Sequence, residues 1–180
     1  LLDIDSCGGE YAGLPEFAAE LAAAGRQKPI WAIVRPACFS AAYWIASQAE
    51  RILVTPSCEL GSIGVMAVHV DVSASDAQQG YKLTFFNAGD RKLDGNPHLP
   101  INEAFARDVQ AGVERAYGEF VAAVARGRGQ RFGEKAIRAT EARTYEADAA
   151  VKLGMADQVA TFNETIRAFV EAVGRGERPD

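Results

Sequence analysis

The sequence predicts an α/β domain, a mostly parallel sheet flanked by helices that gives way to an α-rich second half. Three observations carry this. Up to Tyr81, short apolar runs without alternation are interleaved with helical patterns, as in strands buried on both faces and joined by crossover helices. From Ile101 onward the apolar residues recur at helical spacing instead. The 180 residues, 48% hydrophobic and 24% charged, suffice for one packed core.

The elements follow in order. Leu1 to Ile4 is a short apolar strand ending in the turn Asp5-Ser6-Cys7-Gly8-Gly9. Pro15 suits the first turn of a helix with the apolar face Leu14, Phe17, Ala18 and Leu21, closed by Gly25. Ile30 to Val34 is a second strand, Pro36 to Phe39 a break, and Ser40 to Ala49 a helix that starts sharply after it. Ile52 to Val54 is a third strand, and Gly61 opens a longer one over Ile63 to Val70. Ser73 caps a short helix ending near Gly80, and Leu83 to Phe86 return to the sheet.

Asn87 to Pro100 reads as a loop, with Gly89, Gly95, Pro97 and Pro100 as its breakers. A long helix runs from Ile101 to about Ala125, its apolar face Phe105, Val109, Val113, Phe120 and Val124. Shorter helices follow near Glu134 to Arg138 and over Ala147 to Leu153, the latter stopped by Gly154. Thr161-x-x-Glu164 is a capping box for a last helix carrying Ile166, Phe169, Val170 and Val173. Residues 1–173 read as a single domain, and the polar stretch 174–180 as a flexible tail.

Composition excludes several classes. A net charge of −5 argues against a protein that coats nucleic acid. No apolar run approaches the roughly 18 residues needed to span a bilayer, and no signal peptide is visible. Cys7, Cys38 and Cys58 form neither a zinc pattern nor an even disulfide framework, which suits a reducing compartment. Asp3 and Asp5 read as turn and capping groups rather than a metal pair. Arg126, Arg128 and Arg131 read as a solvated helix-terminal loop, and Cys38 as a small buried apolar group.

Three segments carry possible chemistry. The Gly8-Gly9 pair after a strand permits a tight turn with exposed N–H groups, where one donor to an oxyanion is worth about 3 kcal/mol in a transition state. Taken alone, the pair is better read as an ordinary strand-to-helix turn. Ser40, at a strand-to-helix junction among small residues, presents a hydroxyl where free N–H groups favour negative charge. Its commonest role there is simply an N-cap. His69 in a strand and His98 between prolines have no carboxylate partner evident in the sequence, so a Ser-His-Asp triad fits poorly. A lysine can act as the base instead, because desolvation lets an ammonium lose its proton. Lys92 stands out among turn-formers in Ala88-Gly89-Asp90-Arg91-Lys92-Leu93-Asp94-Gly95, although a solvated side chain is the plainer reading.

Taken together and in order, these segments resemble the signal peptide peptidase A family of serine proteases, which share the Clp-protease/crotonase fold. Asp3 to Gly9 resembles its Asp-x-x-Ser-Pro-Gly-Gly loop, with Cys7 in the proline place. Phe39-Ser40-Ala41-Ala42-Tyr43-Trp44 resembles its nucleophile segment, and Pro56 to Val65 its Gly-Ser-Ile-Gly-Val segment. Gly89-Asp90-Arg91-Lys92 is similar to its Gly-x-x-Lys, and Arg143-Thr144-Tyr145 with Leu153 to Asp157 to its late signature.

The resemblance implies Ser40 as nucleophile, Lys92 as general base and Ser62 as the serine that orients it. It implies oxyanion donors from Ala41 and the Gly8-Gly9 turn, with Ile63, Gly64 and Val65 binding an extended substrate strand. It implies no metal and no cofactor, and a ring-like homo-oligomer. The alanine pair after Ser40, the Cys7 replacement and the segments Ala67-x-His69-x-Asp71 and Asp94-Gly95-Asn96-Pro97 resemble the phage branch. That branch cleaves scaffold and portal-type capsid proteins during head maturation, which implies the bacterial host's cytoplasm or procapsid as the location; for this chain no nucleic-acid partner and no membrane segment are expected. It ranks above a cellular peptidase that degrades signal peptides. A catalytically inactive assembly factor and an acyl-CoA enzyme of the crotonase type are the readings from other classes. A chain that begins at Leu1 inside a strand is expected to lack the N-terminal part of this fold and to be the catalytic core of a longer protein.

Overall fold

The computed structural model describes residues 1–175, and its contacts divide them into two units. The first comprises Leu1–Gly64 and the chain from Ala116 onward; the second is Val65–Arg115.

The first unit holds the sheet. Its strands are β1 (Leu2–Ser6), β2 (Trp31–Phe39), β3 (Arg51–Val54), β4 (Glu59–Gly61), β5 (Thr144–Glu146) and β6 (Gln158–Val159). The order is β5-β4-β2-β3-β6, with β1 also paired to β2. Every pairing is parallel except β4 with β5. The helices of this unit are α1 (Leu14–Gly25), α2 (Ala41–Ala46), α5 (Glu134–Ala139), α6 (Ala147–Leu153) and α7 (Phe162–Gly174). The second unit holds α3 (Ser73–Gln78), and α4 (Glu103–Arg128) begins in the second unit and ends in the first.

β2 is the central strand, and the expected break at Pro36 to Phe39 is instead a change of partner. Trp31–Val34 pair with β3, and Ala37–Phe39 pair with β4. The β1–β2 register also shifts between Ile4 and Ser6, which face Val34 and Cys38. Pro36 has no N–H to give a ladder, so it belongs at such an irregularity.

Core packing fixes the sheet between helices. Trp31, Ile33, Leu53, Ala160 and Ala172 form one buried cluster, against which Phe162, Ala168 and Phe169 of α7 pack. Each large apolar side chain fully buried here contributes about 2 kcal/mol. Elsewhere in this unit Trp44 stacks on Phe120 at 4.7 Å between ring centres. The capping box of α7 is present, with Thr161 and Glu164 exchanging both bonds. Its buried positions, however, are Thr165 and Ala172, whereas Ile166, Val170 and Val173 are exposed. Helix α7 includes Gly174, so the expected tail does not begin there; residues 176–180 lie outside the described residues.

Several expected elements differ. No ladder forms over Ile63 to Val70 or Leu83 to Phe86 among the described residues; the strand of that region is β4, just upstream. Met66, Val68 and Val70 are 86%, 75% and 59% exposed, so their alternation has no facing partner in this unit. Helix α2 stops at Ala46 rather than Ala49. Helix α3 starts at Ser73 itself with Val72 at the N-cap and no side-chain cap, and Asp71 just before it accepts the Ser73 N–H at 2.9 Å and hydroxyl at 2.7 Å. Helix α4 extends to Arg128, which is completely buried rather than solvated.

Candidate active site

Parallel strands bring their carboxyl ends to one edge of a sheet, where open α/β folds place their sites. Here the register aligns Ser6 with Cys38 and Phe39 with Gly61. The residues just beyond β1, β2 and β4 are therefore neighbours: Gly8, Ser40 and Ser62.

Ser40 joins β2 to α2 in a backbone conformation that side chains rarely adopt, with φ 52° and ψ −124°. Its N–H donates to the Gly61 carbonyl at 2.9 Å, and its carbonyl accepts from Tyr43 and Trp44. Its side chain does not cap α2, so the plain N-cap reading of this serine is set aside. A non-glycine residue held at such angles costs about 1–3 kcal/mol, and strained strand-to-helix turns of this kind expose a hydroxyl.

Gly8 packs against that turn. It has φ 109°, and a Cβ built on it would lie 2.8 Å from Ser40 Cβ and 2.9 Å from the Phe39 carbonyl oxygen. Only glycine fits both the angle and the space. The Gly8 N–H donates to Ser6 Oγ at 3.2 Å. The N–H groups of Gly9 and Ala41 carry no hydrogen bond among the described residues, which leaves both available to an acceptor. An open cavity of about 420 Å³ adjoins this turn, its wall including Ile4, Gly8, Gly9, Ala41, Ala42 and Ile45. Ala41 and Ala42 both line this cavity.

Ser62 is the second positively twisted serine, at φ 54°. Its N–H donates to the Arg143 carbonyl at 3.0 Å, and its carbonyl accepts from Gly64. The flanking glycines explain the spacing of this segment. A Cβ on Gly61 would approach the Arg143 carbonyl oxygen to 2.5 Å, and one on Gly64 would approach Ala142 Cβ to 2.7 Å. Thus the 142–144 segment buttresses the Gly61–Gly64 turn, while Ser6 holds the Gly8 N–H; sequence reasoning missed both roles. Ile63 is fully buried, whereas Gly64 and Val65 are half-buried.

Lys92 belongs to the second unit, exposed on a turn, its N–H donating to the Gly89 carbonyl at 3.1 Å. In that unit His69 Nε2 lies 3.3 Å from the Asn96 carbonyl oxygen. His98 does have a carboxylate partner, which the sequence did not reveal: its Nδ1 is 2.7 Å from Asp76 Oδ2.

The acidic pair of β1 is also resolved. Asp3 forms a two-pronged ion pair with Arg35, Nε to Oδ1 at 2.7 Å, and that hydrogen bond holds the Asp3 carboxyl below its usual range. Cys38, two residues before Ser40, is fully buried, and burial pushes its thiol far above the usual range. Burial likewise pushes Cys58 up to about 11. Neither is a thiolate at neutral pH. No helix among the described residues is long and apolar enough to cross a membrane.

Comparison with known proteins adds the following. The family model described as Peptidase family S49 matches residues 22–174. The head-tail preconnector protein GP5 of Enterobacteria phage P21 is 34% identical over 178 residues, covering 99% of this chain and 35% of that protein. The capsid assembly protease C of Escherichia phage lambda is 31% identical over 173 residues, covering 96% of this chain and 39% of that one. The chain thus spans somewhat more than a third of the length of these relatives. Among solved structures, a mutant of the membrane-bound stomatin-specific protease 1510-N has a TM-score of 0.54 at 14% identity, covering 92% of this chain and 66% of that one. An enoyl-CoA hydratase from Shewanella pealeana has a TM-score of 0.51 at 13% identity, covering 90% and 43%. The fold is the one shared by Clp-type proteases and crotonases.

Proposed function

Because this chain belongs to peptidase family S49, we propose that it is a serine endopeptidase working through a Ser40/Lys92 dyad. The single observation that carries the reading is the Ser40 turn. Its hydroxyl is uncapped, its backbone is strained, and two unbonded N–H groups stand beside it.

In the proposed mechanism, unprotonated Lys92 takes the proton of the Ser40 hydroxyl as the oxygen attacks a peptide carbonyl. Ala41 N–H and an N–H of the Gly8-Gly9 turn receive the developing oxyanion. Gly9 is the better donor of the pair, since Ser6 already occupies Gly8. Lys92 then passes the proton to the leaving amine, and water hydrolyses the acyl-enzyme with Lys92 again as base. Ser62 orients Lys92, and the backbone of Ile63, Gly64 and Val65 pairs with an extended substrate.

The relatives named for head-tail preconnection and capsid assembly support capsid proteins as the substrate class; within that class we propose scaffold and portal-type proteins, cleaved in the host cytoplasm or procapsid by a homo-oligomer. The test is to incubate the full-length protein with its phage's scaffold protein. Cleavage that disappears in Ser40→Ala and in Lys92→Ala supports the dyad. Cleavage that survives Ser40→Ala overturns it. Absence of covalent labelling by a fluorophosphonate favours the inactive assembly factor. A second reading rests on the His98–Asp76 pair, whose geometry suits a histidine base. Loss of labelling in His98→Ala with retention in Lys92→Ala would select it.

A further inference from the structure

A base on an exposed turn serves a nucleophile only if the turn is held still. The turn around Lys92 is fastened to the start of α4 at three points, all within the second unit. Arg91 Nε donates to Asp94 Oδ2 at 2.7 Å, while Arg91 also reaches Asp108 of α4 at 2.6 Å. Asn102 Nδ2 donates to Asp94 Oδ1 at 2.7 Å. Gly95, at φ 73°, lies so close to the Phe105 ring that a Cβ there would meet it at 2.9 Å. Lys92 thus sits between two anchored neighbours, Arg91 and Asp94. The turn is also bonded internally, through Lys92 N–H to the Gly89 carbonyl and Asp94 N–H to the Arg91 carbonyl.

Asn102 does two separable things. Its Oδ1 accepts the Phe105 N–H at 2.8 Å, a cap for α4. Its Nδ2 goes to Asp94, a bond that helix capping does not require. Both oxygens of Asp94 are occupied, and the Arg91 hydrogen bond, with that of Asn102, holds its carboxyl below the ordinary range. It is therefore an ionised acceptor gripping two donors.

We propose that Asp94 and Asn102 are positioning residues, which lock the Lys92 turn to the N-terminus of α4 and so hold the base in working geometry. The inference rests on the reading of Lys92 as the base. Arg91, the cation of the pair, is 62% exposed and its ion pair adds little to stability, so the effect is expected in reactivity.

Asn102→Asp separates the two roles. An aspartate keeps the capping oxygen but sets a carboxylate against that of Asp94. The double variant Asp94→Asn/Asn102→Asp restores the bond with donor and acceptor exchanged. The readout is inactivation of the full-length protein by fluorophosphonate–rhodamine, with kinact and KI resolved and the urea midpoint recorded for each variant. Asn102→Asp is expected to lower kinact about tenfold or more with KI and the urea midpoint held, and the double variant to recover most of it. Wild-type kinact in Asn102→Asp, or no recovery in the double variant, overturns the proposal while the dyad stands. Undiminished labelling of Lys92→Ala overturns the dyad itself, and this inference with it.

Discussion

The guanidinium of Arg128, wholly buried, grips the Asp157 carboxylate with two nitrogens, 3.0 Å to one oxygen and 2.8 Å to the other. Arg131 adds a third bond at 2.8 Å and the Ile52 N–H a fourth at 2.6 Å. Arg128 also donates twice to the Gly154 carbonyl. One arginine therefore ties the end of α4 to the loop before β6 and, through Asp157, to β3. Removing one partner of such a pair strands a buried charge, at about 3–5 kcal/mol. Asp157→Ala, which leaves the wholly buried Arg128 guanidinium without a counter-charge, is expected to lose that much in urea unfolding, and Arg128→Met/Asp157→Leu clearly less. Equal losses would mean the packing, not the stranded charge, sets the cost.

The same pair makes stability depend on pH. Burial raises the Asp157 carboxyl, but the hydrogen bond and charge of Arg128, with Ile52 N–H and Arg131, more than offset this and leave it below its ordinary 3.8. For a group depressed on folding, the contribution is complete above the unfolded value and is lost as pH falls through the folded one. Stability should thus decline below about pH 4. Comparing urea midpoints at pH 7 and pH 3 for wild type and Asp157→Asn checks this, the variant showing the shallower decline.

Much of this was legible in the sequence. Pro15, Gly154 and the Thr161/Glu164 box mark three helix ends because capping is chemistry local to the chain. The strand expected over Ile63 to Val70 failed for a different reason. Alternation reports that a segment could lie in a sheet, not that a partner is present, and Met66, Val68 and Val70 have none in their unit. Arg128 was misread because a solvated arginine and a buried one have the same sequence; the partner that decides between them is Asp157, 29 residues further on. Gly8 was recognised as a turn-former, but its contact with Ser40 depends on the register of β1 on β2, which no local pattern encodes.

The glycine pair should respond unequally. Gly8 has φ 109° and no room for a Cβ, whereas nothing lies within 4 Å of a Cβ on Gly9. Gly8→Ala must therefore move the Ser40 turn, and is expected to lower fluorophosphonate labelling at least tenfold and stability by about 1–3 kcal/mol. Gly9→Ala is expected to stay within about 0.5 kcal/mol of wild type and to keep most of its labelling. Equal losses would show that both glycines are conformationally required.

Strain at Ser40 predicts an inverse relation between stability and activity. The residue holds φ 52° and ψ −124°, and its hydroxyl caps nothing. Ser40→Ala keeps the Cβ that makes this conformation costly and removes only the oxygen, so its stability should match wild type. Ser40→Gly removes the steric cost, about 1–3 kcal/mol, against roughly 0.5–1 kcal/mol for the greater freedom of glycine in the unfolded chain. The glycine variant should then exceed the alanine variant by about 1 kcal/mol in urea unfolding, both being inert to the fluorophosphonate. A glycine variant no more stable than alanine would show that the turn is relaxed, and that the exposure of the hydroxyl costs the fold nothing.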